Sequence, residues 1–174
     1  DIQLEEIPYD EFKKLYEEEF ELEGYNPVYE GHKGQIKTAI KMIKDSKKPL
    51  IIAGAGILKG HAYDELKEFV DKTNIPVAMT LLGLGSFPAN HELALGMIGM
   101  HGTTYANYAA NEADLVIAAG MRFDDRVTGN PQKFLPNAKI IHIDIDPAEI
   151  GKNKLIDVPI VGDLKNVLAE LNQK

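Results

Sequence analysis

The sequence predicts an α/β domain of three layers, in which a mostly parallel sheet of about six strands is flanked by helices. Two observations carry this. From Lys48 onward, short β-branched runs alternate with segments of helical periodicity, the rhythm of βα units feeding a parallel sheet. The strand runs are also apolar without polar alternation, as strands covered by helices on both faces must be.

Along the chain, an acidic leader comes first. Residues 1–30 hold eleven carboxylates against two lysines, a local charge of -9 in a chain of net charge -8, so residues 31–174 carry +1. Within the leader, residues 11–23 can form a charged helix with Phe12, Leu15, Tyr16 and Phe20 on one side, stopped by Gly24 and the extended Asn26-Pro27. It reads as an interdomain linker over residues 1–30, with a solvated acidic arm as the alternative, followed by one domain of ordinary size over 31–174. The domain opens with a helix whose apolar stripe is Ile36, Ala39, Ile40 and Ile43. A strand at Pro49–Ala53 precedes a helix striped by Ala62, Leu66, Phe69 and Val70. Strands follow at 75–79 and 95–98, then a helix with Tyr105, Tyr108 and Ala109 facing inward, then strands at 115–119, 139–144 and 158–161. Asp163 caps a last helix that packs through Val167, Leu168 and Leu171, and Asp146 before Pro147 reads as another helix cap.

Composition narrows the function. The chain has no cysteine, which excludes disulfide scaffolds, thiolate zinc sites and cysteine nucleophiles, and fits a reducing cytoplasm. A nearly neutral domain offers no basic face for phosphates, so nucleic acid is not an expected partner. No apolar run approaches the roughly 18 residues of a membrane helix, so no membrane is expected either. The start at Asp1-Ile2-Gln3 shows no signal peptide and is expected to reflect a piece of a longer protein.

The residues that carry chemistry sit at the carboxyl ends of the strands, where open α/β sheets bind ligands. Gly54-Ala55-Gly56, between a strand and a helix, invites a Rossmann-like dinucleotide reading, in which glycines let the backbone approach a pyrophosphate. The third glycine, Gly60, falls one place late for that fingerprint, and the alternative is a tight turn that needs small residues for packing. The stretch 80–87 is too glycine-rich for a helix and reads as a cleft wall, with Leu81, Leu82 and Leu84 able to cover a flat ring, the alternative and more common fate of such residues being core packing. His101 lies between glycines before a helix that Thr103 or Thr104 can cap. In 120–129, Arg122, Asp124, Asp125 and Arg126 crowd one loop. Arginine suits bidentate phosphate contact, and the alternative is an internally paired salt-bridge loop. Asp144 follows Gly120 by 24 residues at a strand end, much as a ribose-binding acid follows a phosphate turn.

Several motifs occur together in order: Asn26-Pro27 with Gly31-His32-Lys33-Gly34-Gln35, Leu82-Gly83-Leu84-Gly85, Gly99-Met100-His101-Gly102-Thr103, Arg122-Phe123-Asp124-Asp125-Arg126-Val127-Thr128-Gly129, His142-Ile143-Asp144-Ile145-Asp146-Pro147 and Gly162-Asp163. In this set the chain resembles the central domain of the acetolactate synthase family, thiamine-diphosphate enzymes also called acetohydroxyacid synthases. The resemblance covers essentially the whole chain. It implies a condensation of pyruvate with a second 2-keto acid, with loss of CO2, in branched-chain amino-acid synthesis. It places thiamine diphosphate and Mg²⁺ on the outer domains and FAD, in a non-redox role, on this one. By resemblance, cofactor contacts fall on Gly54, Ala55 and Gly56; Thr80, Leu81 and Leu82; Ile98, Gly99, Met100 and His101; Gly120, Met121, Arg122, Asp124, Arg126 and Val127; Asp144 and Ile145; and Asp163 and Leu164. No catalytic residue and no metal ligand is expected in this chain, which by itself is expected to be inactive. The partners implied are the remaining domains, a homo-oligomer (dimer or tetramer) and a regulatory small subunit.

Two departures from the family pattern stand out. Its first glycine loop is here Gly-Ala-Gly, and Glu21 stands where an arginine usually grips the phosphate side of the flavin. A stand-alone NAD(P)-dependent oxidoreductase domain is the alternative from another class, supported by Gly54-Ala55-Gly56 and Asp144. A structural spacer in a flavin-independent relative is a third reading.

Overall fold

The computed structural model describes residues 27–174, together with residues 6, 8–10 and 13. Apart from residue 13, the acidic helix read over 11–23 lies outside the described residues, as does the Glu21 substitution. Six strands form one sheet, all of whose pairings are parallel: β1 (Pro49–Ala53), β2 (Val77–Met79), β3 (Ala94–Met97), β4 (Leu115–Ala119), β5 (Lys139–Asp144) and β6 (Val158–Val161). The order across the sheet is β3-β2-β1-β4-β5-β6, so the chain builds outward from β1 and then restarts on its other side. That arrangement leaves a crevice between the carboxyl ends of β1 and β4.

The strands read as continuous apolar runs because each face meets its own core. Ile51, Ala53, Val77, Met79, Ile117, Ile141, Ile143 and Ile160 point to one side, packing on α1 (Lys33–Asp45), α2 (Ala55–Lys59), α3 (Tyr63–Thr73) and α6 (Leu164–Asn172). Leu50, Ile52, Ala78, Val116, Ala118 and Ile140 point to the other, under α4 (Thr104–Glu112) and the aromatic rings of Phe123 and Phe134. The expected stripes of α1, α3 and α6 all pack against the first core.

Helix α4 corrects the sequence expectation. Its buried residues are Ala106 and Ala110, whereas Tyr105 and Tyr108 are 60% and 65% exposed. Ala109, from the same expected stripe, is partly buried against the second core. Alanines satisfy the same helical spacing and let the helix lie close to the sheet, while a buried tyrosine would bring a hydroxyl that needs a partner. Asp146 is the second correction: its Oδ1 accepts from the Ala148 amide at 2.8 Å in a turn, and no helix follows it before β6. Smaller shifts occur at β2, which starts at Val77 because Pro76 has no amide to donate, and at β3, which begins one residue early. Between β2 and β3 the register slips, so that Val77 faces Ala94 and Ala78 faces Gly96, whose φ is +75°.

The expected caps are present where helices follow. Thr103 accepts from the Ala106 amide, and Asp163 accepts from the Lys165 and Asn166 amides. At the opposite, amino-terminal end of the strands, Asp114 gathers the Ser46 hydroxyl and the amides of Lys47 and Lys48, joining the approach to β1 to the start of β4. The Ser46 bond, followed by the two amides, holds its carboxyl below the usual 3.8 against the opposing effect of burial. Among the described residues, no helix is long and apolar enough to cross a membrane.

Asp114→Ala is expected to lower Tm by about 2–4 °C, the equivalent of about 1 kcal/mol in a chain of this size. The Asp114 contribution is present above pH 3.8 and is lost as pH falls through the lower folded-state value. The difference in Tm between the two proteins therefore closes in strong acid, as thermal melts at pH 7 and pH 2 would show.

Candidate functional site

The crevice between β1 and β4 is where two turns touch. Gly54 donates its amide to the Ala119 carbonyl and Gly56 donates to the Gly120 carbonyl, both at 2.9 Å. A methyl on Gly54 would stand 2.2 Å from the Gly120 oxygen, and one on Gly56 would stand 2.6 Å from the Gly120 Cα. Gly120 is in the left-handed region at φ +60°, and a side chain there would meet Leu164 Cδ1 at 2.4 Å. The glycines of the first loop are thus required by backbone packing against the second turn. Gly83 is held to the same standard, since its Cβ would lie 2.3 Å from the Ala53 oxygen.

Above these turns opens a cleft of about 790 Å³. Its walls come from Ala55 and Gly56; Thr80, Leu81 and Leu82; Gly120, Met121, Arg122, Asp124, Arg126 and Val127; Asp144 and Ile145; and Asp163 and Leu164. Leu81 and Leu82, on a single 3-10 turn (Leu81–Gly83), are 66% and 71% exposed, placed as a cleft wall and away from the core.

Five of the expected positions do not line it. Gly54 sits beneath, as the N-cap of α2. Ile98 is buried in the second core. Gly99 and Met100 border a shallower depression with Asn107 and Val127, where the Met100 amide donates to the Arg126 carbonyl at 3.2 Å. His101 is exposed and lines neither. Conversely, Lys59, Gly60, Asp146 and Glu149 line the cleft without having been expected there. Lys59 ends the short helix that begins at Ala55, one turn after the glycine loop, so its place could have been read from helical spacing; Glu149 lies within the turn after Asp146, its amide donating to the Asp146 carbonyl, and no motif marks it.

Charge in the cleft divides by engagement. Asp124 Oδ1 accepts from the Arg126 amide, Asp163 caps α6, Asp146 closes its own turn and Glu149 pairs with Lys152 at 2.9 Å. The arginines are held only loosely, Arg122 at 3.8 Å from Asp124 and Arg126 at 3.9 Å from Asp125, and both guanidinium groups are exposed. The salt-bridge reading of this loop therefore describes a weak association, leaving two planar cations and Lys59 available to an anion. Asp124 also caps the four-residue helix α5 (Asp125–Thr128). Asp144 Oδ1 accepts from the Asp146 amide at 3.0 Å, and burial raises its pKa above 3.8.

Beneath the cleft, His142 is fully buried. Its Nε2 lies 2.9 Å from the Met121 carbonyl and so carries the proton, while Nδ1 has no partner among the described residues. Burial holds the imidazole neutral and lowers its pKa below 6.5, opposed by the Met121 bond and by the Asp144 and Glu149 carboxylates.

The described residues present no group of three or more histidines and carboxylates able to hold a metal ion. The groups present fit the cofactor the resemblance implies: a cleft of about 790 Å³, exposed and at most loosely paired cations at 59, 122 and 126, a half-buried carboxylate at 144 and exposed leucines.

The family described as "Thiamine pyrophosphate enzyme, central domain" matches residues 36–171. A probable acetolactate synthase large subunit of Methanococcus aeolicus is 53% identical over 168 residues, which is 97% of this chain and 28% of that protein. The acetolactate synthase large subunit of Corynebacterium glutamicum is 51% identical over 97% of this chain and 28% of its own length. The isozyme 3 large subunit of Escherichia coli is 46% identical over 94% of this chain and 29% of its own length. The chain thus spans under a third of these relatives.

Gly54→Ala is expected to destabilise by about 2–3 kcal/mol, because backbone must move to admit the methyl. Gly34→Ala, whose methyl meets only the exposed His32 ring, is expected to stay within about 1 kcal/mol of the native protein; urea midpoints check both. A second expectation concerns pH. The unfolded chain takes up a proton on an ordinary histidine near 6.5, and folded His142 does so only at lower pH, so stability is full above 6.5 and falls as the pH drops below it. His142→Gln is expected to remove up to about 1.4 kcal/mol per pH unit from that slope, measured by urea unfolding between pH 7.5 and 5.

Proposed function

The chain belongs to the family of thiamine pyrophosphate enzyme central domains, and from that membership we propose that it is the central domain of an acetolactate synthase large subunit. In this reading the complete enzyme condenses two pyruvates, or pyruvate and 2-oxobutanoate, to acetohydroxy acids with release of CO2. Residues 31–174 are the domain and residues 1–30 its linker to a neighbouring domain. The full protein works in the cytoplasm as a homo-oligomer, with a regulatory small subunit as partner. Thiamine diphosphate and Mg²⁺ bind on other domains, and this chain alone does not turn over pyruvate.

Its own task is to hold an adenine dinucleotide, FAD, in the crevice. The observation that carries this is convergence: residues from five separate strand ends, read as a set from the motifs, line one cleft between β1 and β4. When bound, the flavin serves in a non-redox role. Arg122, Arg126 and Lys59 supply positive charge for a pyrophosphate. Asp144 accepts from ribose hydroxyls, for which it must be ionised. Leu81 and Leu82 cover an aromatic ring and exclude water from one side of it. The stand-alone nicotinamide oxidoreductase reading draws no support from the relatives, which are named acetolactate synthases.

Titration of the chain with FAD, ADP, NADH and NADPH is expected to show binding of FAD and ADP without preference for a nicotinamide dinucleotide. Preference for NADH or NADPH would overturn the reading, and binding of none would favour a structural spacer. Mixing the chain with pyruvate, thiamine diphosphate and Mg²⁺ is expected to yield no acetolactate; formation of acetolactate would overturn the division of labour. Affinity for ADP is expected to fall in acid at a pH above the ordinary 3.8 of an aspartate, following the raised Asp144, and Asp144→Asn to flatten that dependence.

A further inference from the structure

His142 occupies a position on β5 whose neighbour on the same face, Ile140, belongs to the second core. A leucine or phenylalanine would fill such a site, yet the chain carries an imidazole there with Nδ1 buried and unpaired. The reason lies in the turn above. After Ala119 the chain leaves β4, and Gly120 at φ +60° redirects the next two carbonyls. The Gly120 carbonyl takes the Gly56 amide, while the Met121 carbonyl accepts from His142 Nε2 at 2.9 Å. Met121 is buried in the second core with Phe123 and Phe134, and a carbonyl there demands a donor. The Phe123 ring meets the imidazole edge to face at 5.2 Å, which fixes the ring plane and leaves Nδ1 without a task.

We infer that His142 is a positioning residue of the cleft: the proton on its Nε2, donated to the Met121 carbonyl, fixes residues 120–124, which floor the cleft and carry Arg122. It acts on the ligand through that backbone, and its Nε2 also stands 4.0 Å from Asp144 Oδ2, a neighbour that both His142→Leu and His142→Gln leave in place. The ligand half of the inference rests on the dinucleotide reading; the backbone half does not.

The test begins with the native chain. Long-range ¹H–¹⁵N spectra at neutral pH are expected to show His142 as the neutral Nε2–H tautomer with a bare Nδ1, and a proton on Nδ1 would overturn the inference. His142→Leu removes the donor, and His142→Gln retains one. Hydrogen exchange over peptides spanning 120–126 is expected to quicken about tenfold in His142→Leu, with FAD binding about tenfold weaker, and both are expected to recover in His142→Gln to within about threefold. A folded His142→Leu protein with native exchange across 120–126 would overturn the inference. Should His142→Leu fail to fold, the tautomer and the His142→Gln exchange decide in its place. If the native chain binds neither FAD nor ADP, the dinucleotide reading fails, while exchange and tautomer still decide the role of His142.

Discussion

The contact between two backbone turns, Gly54–Gly56 against Gly120–Met121, is the constraint on which the rest of this structure depends. With glycine Cβ positions 2.2 to 2.6 Å from opposing atoms, the turns can touch only because three residues have no side chain. Their closeness lets the β1 and β4 ladders run to the very end of the strands, continued by the Gly54 to Ala119 bond and, on the far side, by Gly120 to the Ile143 carbonyl. A crevice forms because the next residues diverge, Ala55 into α2 and Arg122 toward α5. The same glycines that invite a phosphate-binding interpretation are consumed by the protein's own packing, and the groups left to meet a ligand are the side chains around them.

Those side chains are sorted by prior commitments. Carboxylates outnumber cations along the cleft, yet Asp124, Asp146 and Asp163 are spent on backbone amides and Glu149 on a lysine. The cations have no comparable partners. Asp144 is committed in the same way, its Oδ1 accepting from the Asp146 amide, so these carboxylates are held in fixed orientations while Arg122, Arg126 and Lys59 present the positive charge an anion can reach. Local hydrogen bonding, more than composition, decides what such a surface presents.

Much of this was legible in the sequence, because strand and helix periodicity differ and apolar runs bounded by glycine and proline mark strand ends. Pro49–Ala53, Leu115–Ala119, Lys139–Asp144 and Val158–Val161 begin and end where the residues say. What was not legible has physical causes. In α4, tyrosine and alanine obey the same spacing, and only the closeness of helix to sheet selects the alanines. Lys59, Gly60, Asp146 and Glu149 enter the cleft because of how the chain turns after a motif, which the motif does not encode. His101 and Ile98 belong to a segment whose two sides face different surroundings, so adjacency in sequence did not translate into a shared wall. His142 was visible within a motif, but its burial and its bond to a carbonyl 21 residues earlier required the sheet register to bring them together.

Both outer strands of the sheet are blunted. β3 has four residues, and its register with β2 is broken beside Gly96. β6 also has four, and one of them is Pro159. A flat, regular edge offers a row of unpaired amides and carbonyls to any other strand, and neither of these does. The sheet therefore resists growing by a seventh strand, whether from a second molecule or from an unfolded chain. Blunted edges of this kind keep a domain rich in β-branched sequence from offering a template for its own aggregation.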